Sequence, residues 1–171
     1  MMLEYAMNYN SVSIEGAALL RLRPACASDC RMIWEWANDP LLRSLSFSSD
    51  PIPWVSHVAW FERALQDPNV HFYIAESEVP VGLARFELKN GETVISVSIA
   101  REYRRRGLGQ ELIELSSGRM LSDNGIAAIH AYIKPENAAS ISAFAAAGYE
   151  RLGEVEVKGA RSLHLVLRRE G

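Results

Sequence analysis

The hydrophobic pattern along the chain has two periods, and each predicts a different kind of element. Runs in which β-branched and aromatic residues alternate with polar ones predict strands, and apolar residues three or four positions apart predict helices. The predicted strands are Ala18–Pro24, Val70–Ala75, Val81–Lys89, Glu92–Ala100, Ile126–Ile133, Tyr149–Lys158 and Ser162–Arg168. The predicted helices run from Ser28 or Asp29 to Asn38, from Trp54 to Gln66, from the turn near Gly109 to about Gly125, and from Asn137 to Ala147.

The order of these elements is strand, two helices, three strands, helix, strand, helix and two strands. It predicts a fold of the α/β class, in which one mixed sheet carries helices on both faces. A chain of 171 residues is long enough for one domain with a substantial core. We expect this domain to span residues 17–171, after an N-terminal extension of residues 1–16. The serine- and proline-rich segment Leu41–Pro53 predicts an irregular connection.

Two local patterns predict which side chains share a face. In the helix Trp54–Gln66, the predicted buried stripe is Val58, Phe61 and Leu65. Asn90-Gly91 predicts a two-residue type I′ hairpin, in which Lys89 lies opposite Glu92. Counting back from this pair places four polar residues on one side of the sheet. Either they bind a polar substrate there, or that end of the sheet is not covered by a helix. These residues are Arg85, Glu87, Ser96 and Ser98. A bulge near Ser98 would break this register.

Charge and composition argue against several kinds of partner and site. The net charge is −3, which argues against a general affinity for nucleic acid or for an anionic membrane surface. Cys26 and Cys30 have no paired histidines nearby, so they predict neither a metal site nor a disulfide framework. The sequence contains no apolar run of transmembrane length and no apolar signal-peptide core, and we therefore expect a cytoplasmic protein.

A glycine- and arginine-rich turn joins a predicted strand to a predicted helix. Its sequence is Arg104-Arg105-Arg106-Gly107-Leu108-Gly109. A helix N-terminus presents free N–H groups and a positive dipole end, and glycines allow close approach, so this turn predicts a pyrophosphate site. The Lys-Ser/Thr pair of a P-loop is missing, as is the third glycine of a Rossmann fingerprint.

The turn resembles the acetyl-CoA-binding motif of the GNAT superfamily of N-acyltransferases. A second stretch, Asn137 to Ser140 followed by Phe144 and Gly148-Tyr149, resembles another motif of that family. The resemblance implies the GNAT fold with a largely antiparallel sheet, acetyl-CoA as co-substrate, and no metal. The residues that it implies for coenzyme binding are Val97, Ile99, Arg104, Arg105, Arg106, Gly107, Leu108, Gly109, Gln110, Asn137, Ser140 and Phe144.

Acetyl transfer to an amine requires a base for the ammonium proton and a donor for the oxyanion. GNAT enzymes often supply an acid for the thiolate from a tyrosine at the position of Phe144, which cannot donate a proton. Either Tyr132 or Tyr103 replaces it, or the thiolate leaves unaided. The catalytic candidates are thus His57 as the base, with Ser98 and Tyr132. Each of these residues is also compatible with a purely structural role.

The acceptor side carries a second, shorter resemblance. Asn38-Asp39-Pro40 with Arg43, followed by His57 and Trp60-Phe61, is similar to the GNAT branch that acetylates UDP-linked 4-amino sugars in pseudaminic acid synthesis. It implies that Arg43 and His57 line the acceptor pocket, and the sheet pattern adds Arg85 and Ser96. We expect direct acetyl transfer to a primary amine of a small molecule, an amino-sugar nucleotide first, by a monomer or a homodimer. The alternatives are a protein N-terminal or ribosomal-protein acetyltransferase, and a non-catalytic acetyl-CoA-binding module.

Overall fold

A computed structural model describes residues 20–169. The predicted extension of residues 1–16 lies outside the described residues, as does the start of the predicted first strand. The strands are β1 Arg21–Pro24, β2 Val70–Ser77, β3 Val79–Lys89, β4 Glu92–Ile99, β5 Ala128–Ile133, β6 Glu150–Val157 and β7 Ala160–Arg168. The helices are α1 Cys30–Ala37, α2 Pro40–Leu45, α3 Trp54–Gln66, α4 Leu108–Asp123 and α5 Ala138–Ala146, and short 3-10 turns lie at Ala27–Asp29 and Arg101–Tyr103.

The strands form one seven-stranded sheet in the order β1-β2-β3-β4-β5-β7-β6. Only the β4–β5 pair is parallel, and every other pair is antiparallel. This confirms the predicted mixed, largely antiparallel sheet.

Helices cover the two faces of the sheet unequally. The larger core joins one face to α4 and α5, with Phe86, Ile95, Leu112 and Phe144 among its buried residues. The smaller core joins α1 and α3 to the opposite face, through Ile33, Phe61, Phe72 and Leu83 among others, and it reaches the sheet only at β2 and β3. The polar side of β4 and β5 therefore lies next to the smaller core without belonging to it.

The predicted irregular connection Leu41–Pro53 is wrong at its start, where α2 forms instead. The Asp39 side chain accepts hydrogen bonds from the backbone N–H groups of Leu41 and Leu42, and Pro40 occupies the first turn. An aspartate followed by a proline is a strong helix start as well as a helix stop. The same three residues, Asn38 to Pro40, thus end α1 and begin α2.

The predicted β3–β4 register is confirmed. Lys89 pairs with Glu92, Arg85 with Ser96 and Leu83 with Ser98, and the pairing continues to Gly82 and Ile99 without a shift. The bulge considered near Ser98 does not occur in this pair. Asn90 and Gly91 both have positive φ angles, 54° and 80°, as a type I′ turn requires.

The buried stripe of α3 differs from the prediction by about one position. The buried residues are His57, Phe61 and Ala64, whereas Val58 and Leu65 are only half-buried. Apolar type alone favoured Val58 over His57, but the ring of His57 stacks on Phe61 at a centroid distance of 5.8 Å and fits the smaller core. This rotation of the helix places a histidine beside the polar side of the sheet.

Candidate active site

Strands β4 and β5 part shortly after they meet. Their parallel pairing includes only Thr93 with Ile129 and Val94 with His130. Beyond Val94, the facing edges of the two strands are not paired with each other, and a cleft opens between them. A separated pair of parallel strands leaves backbone donors and acceptors free for another extended chain.

The register determines which backbone groups of β4 face this cleft. Lys89 and Glu92 flank a two-residue turn, so they form a hydrogen-bonded pair, and such pairs alternate with non-bonded ones. The Ala100 N–H donates to Val81 O at 2.9 Å, which fits the same alternation of hydrogen-bonded and non-bonded pairs. Val97 and Ile99 therefore direct their N–H and C=O groups away from β3 and toward the cleft.

A cavity of about 610 Å³ lies between the acceptor-side helices and the sheet. It brings together ten of the residues predicted from the sequence, which come from α2, α3, three strands and the α5 region. These are Arg43, His57, Arg85, Ser96, Val97, Ser98, Tyr132, Asn137, Ser140 and Phe144. Ile99 and the segment Arg104–Gln110 do not line this cavity, because they form the strand end and the helix start beside it.

The glycine-rich turn ends at the N-terminus of α4. Gly107 is the residue before the helix and has φ of +76°, a left-handed conformation that strains any residue with a Cβ. A Cβ at Gly107 would meet no atom within 4 Å, so the space beside it is open. The first N–H groups of a helix have no partner within it, and here they adjoin that open space.

The three arginines of the turn differ in how they are held. Arg104 donates from Nε to Ile99 O at 3.0 Å and forms an ion pair with Asp39 at 3.0 Å. Arg106 donates to Glu102 O at 2.9 Å and lies over the Tyr103 ring. Arg105 is exposed and makes no ion pair with the described residues. Its charge is thus the most available of the three to a ligand at the start of α4.

His57 is buried at one wall of the cavity. Its Nε2 lies 3.1 Å from Cys30 O and must donate to it, because a carbonyl oxygen only accepts. The neutral ring then carries its lone pair on Nδ1, for which no partner occurs among the described residues. Burial lowers the pKa of His57, and the bond to Cys30 offsets this in part. The histidine is therefore neutral at neutral pH.

Arg43 and Arg85 each bring a partly unpaired guanidinium to the cavity. Arg43 donates to Ser46 Oγ at 2.9 Å and to Asp50 O at 3.3 Å, but its buried Nε has no hydrogen-bond partner. Arg85 Nε lies 3.4 Å from Glu87 Oε1, close enough for an ion pair but not oriented as a hydrogen bond, and the guanidinium lies over the Trp60 ring. Burial lowers the pKa of both groups without making either neutral. Each retains a donor that a ligand can satisfy.

Asn137 and Phe144 have structural partners of their own. The Asn137 side chain caps α5 by accepting from Ser140 N at 3.1 Å. Phe144 is 3% exposed and packs edge-on against Tyr149 at 4.9 Å. Both residues also line the cavity, so each stabilises the fold and forms part of the cavity wall.

Tyr132 lines the cavity and is a candidate to replace the missing acid, but its proton is engaged. Its OH donates to Glu92 Oε2 at 2.9 Å, and its ring stacks on His164 at 4.6 Å. Burial, together with the Glu92 carboxylate, raises the pKa of Tyr132 to about 12. His164 is hydrogen-bonded in turn to His130 at 2.8 Å, so Tyr132, His164 and His130 form one polar cluster on the sheet.

Sequence reasoning missed two lysines of the cavity. Lys134 follows β5, and Lys158 has φ of +50° in the turn between β6 and β7. Lys158 and Gly159 form a two-residue turn with φ angles of 50° and 77°, and only the folded sheet brings this turn to the cavity. With Arg43 and Arg85, the described lining contains four cationic residues and no carboxylate. Two carboxylates contact lining residues from outside the cavity, Glu87 at Arg85 and Glu92 at Tyr132, but the described lining itself is cationic although the whole chain is acidic.

Three further observations concern the described residues. No group of three or more His, Cys, Asp or Glu among residues 20–169 is arranged to hold a metal ion. Cys26 and Cys30 are free thiols, and burial raises the pKa of Cys30, so nothing activates it as a nucleophile. The longest helix in this range, α4, has 16 residues, so none of these helices qualifies as a transmembrane segment.

A family model described as the acetyltransferase (GNAT) domain matches residues 20–150. The aminoglycoside acetyltransferase AAC(6')-Ib, in complex with ribostamycin and coenzyme A, superposes with a TM-score of 0.79 at 20% identity, covering 88% of this chain and 94% of that one. Spermidine N-acetyltransferase from Vibrio cholerae, in complex with CoA and spermine, gives 0.77 at 16% identity, with coverages of 87% and 95%. At these identities, the likeness establishes the shared fold. No match was found among curated proteins.

Proposed function

Since the chain belongs to the GNAT acetyltransferase domain family, an N-acetyltransferase family that uses acetyl-CoA, we propose that its acceptor is the primary amine of an amino-sugar nucleotide. The observation that carries this proposal is the charge of the cavity. Arg43, Arg85, Lys134 and Lys158 line it, and no carboxylate does so among the described residues. An acceptor that carries phosphate groups beside its amine complements such a site.

The same charges disfavour polycationic acceptors. Two like charges ~6 Å apart repel by roughly 3 kcal/mol at an effective dielectric constant near ~20. A site for spermine or an aminoglycoside would need carboxylates to offset several ammonium groups, and this cavity offers cations instead. A shared fold with enzymes that bind such ligands therefore does not indicate the acceptor of this chain.

We assign the coenzyme to a site formed mainly by backbone groups of α4 and β4. The N–H groups at the start of α4 and the exposed Arg105 would hold the phosphates, and the backbone of Val97 and Ile99 would hold the extended arm along the cleft. An N–H of β4 in this cleft would stabilise the oxyanion. Bound acetyl-CoA supplies the thioester, and Phe144 and Asn137 would form the far wall.

His57 is our assignment for the general base. An aliphatic ammonium has a pKa near ~10, so its proton must leave before the nitrogen can attack. The neutral ring of His57 offers Nδ1, because Nε2 is engaged with Cys30 O. Ser96 and Ser98 stand on the same side of the sheet and would orient the acceptor by hydrogen bonds.

We infer that the thiolate leaves without a proton from Tyr132. The pKa of Tyr132 is about 12. A thiol has a pKa of ~8.5, so this transfer would run uphill by about 3.5 pK units, or about 5 kcal/mol. Glu92 is one cause of this high pKa, since ionised Tyr132 would place a second negative charge beside the carboxylate. Tyr132 then acts as a wall of the cavity and a hydrogen-bonded support.

The test is a steady-state assay of free thiol release with four kinds of amine: a UDP-linked 4-amino sugar, spermine, an aminoglycoside and a peptide with a free N-terminus. We expect the highest kcat/KM for the sugar nucleotide. Faster turnover of the peptide would favour the protein-acetylating alternative, and coenzyme binding without turnover of any amine would favour a non-catalytic module.

Two variants report on the charge of the cavity. Arg43→Ala and Lys158→Gln should each raise the KM for the sugar nucleotide about 10- to 100-fold, because a charge-assisted hydrogen bond is worth ~1.5–3 kcal/mol. Lys89→Gln is the matched control, because Lys89 lies beside another hairpin turn and outside this cavity. Unchanged KM in both cavity variants would refute the anionic acceptor.

A further inference from the structure

Helix α2 carries acceptor-side residues but is weakly packed. It has 6 residues and buries none of its side chains, and Leu41 is 53% exposed. A helix this short has little stability of its own, so its position depends on the contacts at its ends. Yet Leu42, Arg43 and Leu45 of this helix line the cavity.

The start of α2 is held by Asp39. Its Oδ1 accepts from Leu41 N and Leu42 N, both at 3.1 Å, and the same oxygen lies 3.0 Å from Arg104 Nη1. The exposed fractions of the two side chains are 20% for Arg104 and 11% for Asp39, so solvent screens this pair less than a surface pair. Burial alone would raise the pKa of Asp39, but the Leu42 N–H and Arg104 outweigh it and lower the pKa.

Arg104 is fixed on its other side as well. It is the first residue of the glycine-rich turn, and its Nε donates to the carbonyl of Ile99, the last residue of β4. One guanidinium therefore joins the end of β4, the coenzyme turn and the start of α2. The contact spans 65 positions of sequence, between Asp39 and Arg104, and the predicted role of Arg104 as a coenzyme ligand does not require it.

We propose that the Arg104–Asp39 ion pair couples the coenzyme turn to the acceptor helix, with Arg104 as a positioning residue. Binding at the start of α4 would order the turn, and the ion pair would transmit that order to α2 and Arg43. Acceptor and coenzyme would then each increase the affinity for the other, by the same factor at equilibrium. The bistable element is α2, docked or undocked. This coupling rests on the proposed function for the positions of the coenzyme at the start of α4 and of the acceptor beside Arg43, but not for the identity of the acceptor.

Two substitutions break the link in different ways. Asp39→Asn removes the charge but keeps an oxygen that can cap α2, since asparagine is an equally good N-cap residue. Arg104→Gln removes the cation and leaves Asp39 in place. Arg101→Gln is the control, because Arg101 is exposed, lies three residues before Arg104, and makes no ion pair with the described residues.

The first measurement needs no acceptor. Amide hydrogen exchange of residues 41–45 is followed in the full chain with and without CoA. In the wild type and in Arg101→Gln, CoA should slow this exchange about 10-fold, within the usual range of coupling factors. In Asp39→Asn and Arg104→Gln, the slowing should be lost while CoA still binds. Equal slowing in all four proteins would overturn the proposal.

The second measurement is kinetic and uses the best amine found in the acceptor assay. Both link variants should raise the acceptor KM about 10-fold, and the double variant should be no worse than either single one. The dissociation constant for CoA without acceptor should change less than 3-fold. If Arg104→Gln weakens CoA binding strongly while Asp39→Asn leaves acceptor KM unchanged, Arg104 is a phosphate ligand and the proposal fails. If the proposed acceptor class is wrong, the hydrogen-exchange result does not change, because that measurement uses no acceptor. Failure of the proposed acceptor can therefore be distinguished from failure of the coupling.

Discussion

At the scale of single residues, His57 shows how a packing position and a chemical role can coincide. Its ring is stacked with Phe61 and buried in the smaller core, and the same burial lowers its pKa and keeps it neutral. The bond from Nε2 to Cys30 O fixes the tautomer. A base with these properties retains its lone pair at pH values where an exposed histidine would be half protonated.

We predict that His57→Gln lowers kcat about 100-fold or more, the typical contribution of a general base, and leaves acetyl-CoA affinity nearly unchanged. Glutamine can still donate to Cys30 O, so the fold should persist. In the wild type, the acid limb of the pH–rate profile should lie below the ordinary histidine value of about 6.5. The variant should lose this limb. His57→Asn, which cannot reach Cys30 in the same way, separates lost packing from lost chemistry, and an unchanged pH profile in the glutamine variant would exclude His57 as the base.

Phe144 supports a second prediction at this scale, because it is a core residue as well as a wall of the cavity. Phe144→Ala should lower the free energy of unfolding by about 3–5 kcal/mol, as removal of a buried ring does. Phe144→Leu, which keeps most of the volume, should lower it by less. Urea titration measures both. Phe144→Tyr should not increase kcat, and a large increase would show that a missing acid limits the reaction.

At the scale of elements, local signals predicted some features and misled about others. Asn90-Gly91 determined the β3–β4 register, since a two-residue turn leaves only one pairing. The serine-rich pattern after Pro40 predicts an irregular connection, whereas Asp39 and Pro40 start α2 there. The burial of His57 depends on how α3 packs on the sheet, which the residue types of α3 alone do not specify.

The glycine before α4 gives a prediction with a matched control. Acetyl-CoA at ~100 times its dissociation constant should stabilise the wild type by about 2.7 kcal/mol. Gly107→Val should abolish this shift, because a side chain would enter the open space beside the helix start. Gly91→Val imposes the same strain, since Gly91 has φ of +80° and open space around it, but lies in the β3–β4 turn. A thermal shift that survives in Gly107→Val, or is lost equally in Gly91→Val, would contradict the coenzyme assignment.

At the scale of the whole molecule, the order of the elements predicts part of the sheet topology but not the site. The β3–β4 hairpin and the crossover helix α4 predict that β4 lies between β3 and β5 and runs parallel to β5, but they do not predict that β7 separates β5 from β6. The cleft depends on how two twisted strands diverge, and no sequence motif encodes that angle. Lys134 and Lys158 stand 24 positions apart, and only the fold assembles them with Arg43 into a cationic cavity.

The pH dependence of stability belongs to this scale, because it sums over the molecule. Burial lowers the pKa of both His57 and His164, and for His164 the neighbouring His130 lowers it further. The unfolded chain, with histidine pKa values near ~6.5, then takes up protons more readily than the folded one. The free energy of unfolding should therefore be maximal above about pH 6.5 and fall as the pH drops toward the folded pKa values. The carboxyl of Asp29 behaves differently. Arg23 lowers its pKa below the ordinary value of 3.8, so its contribution should be lost only in more acidic solution.

Urea unfolding at about pH 8, about pH 6 and about pH 5 separates these contributions. The wild type should lose stability in this window, by up to about 1.4 kcal/mol for each unit by which a histidine pKa is lowered. His57→Gln and His164→Gln should each make the curve flatter, and the double variant should be flattest, because neither glutamine titrates. A double variant that loses as much stability as the wild type between about pH 8 and about pH 5 would show that other groups control acid unfolding.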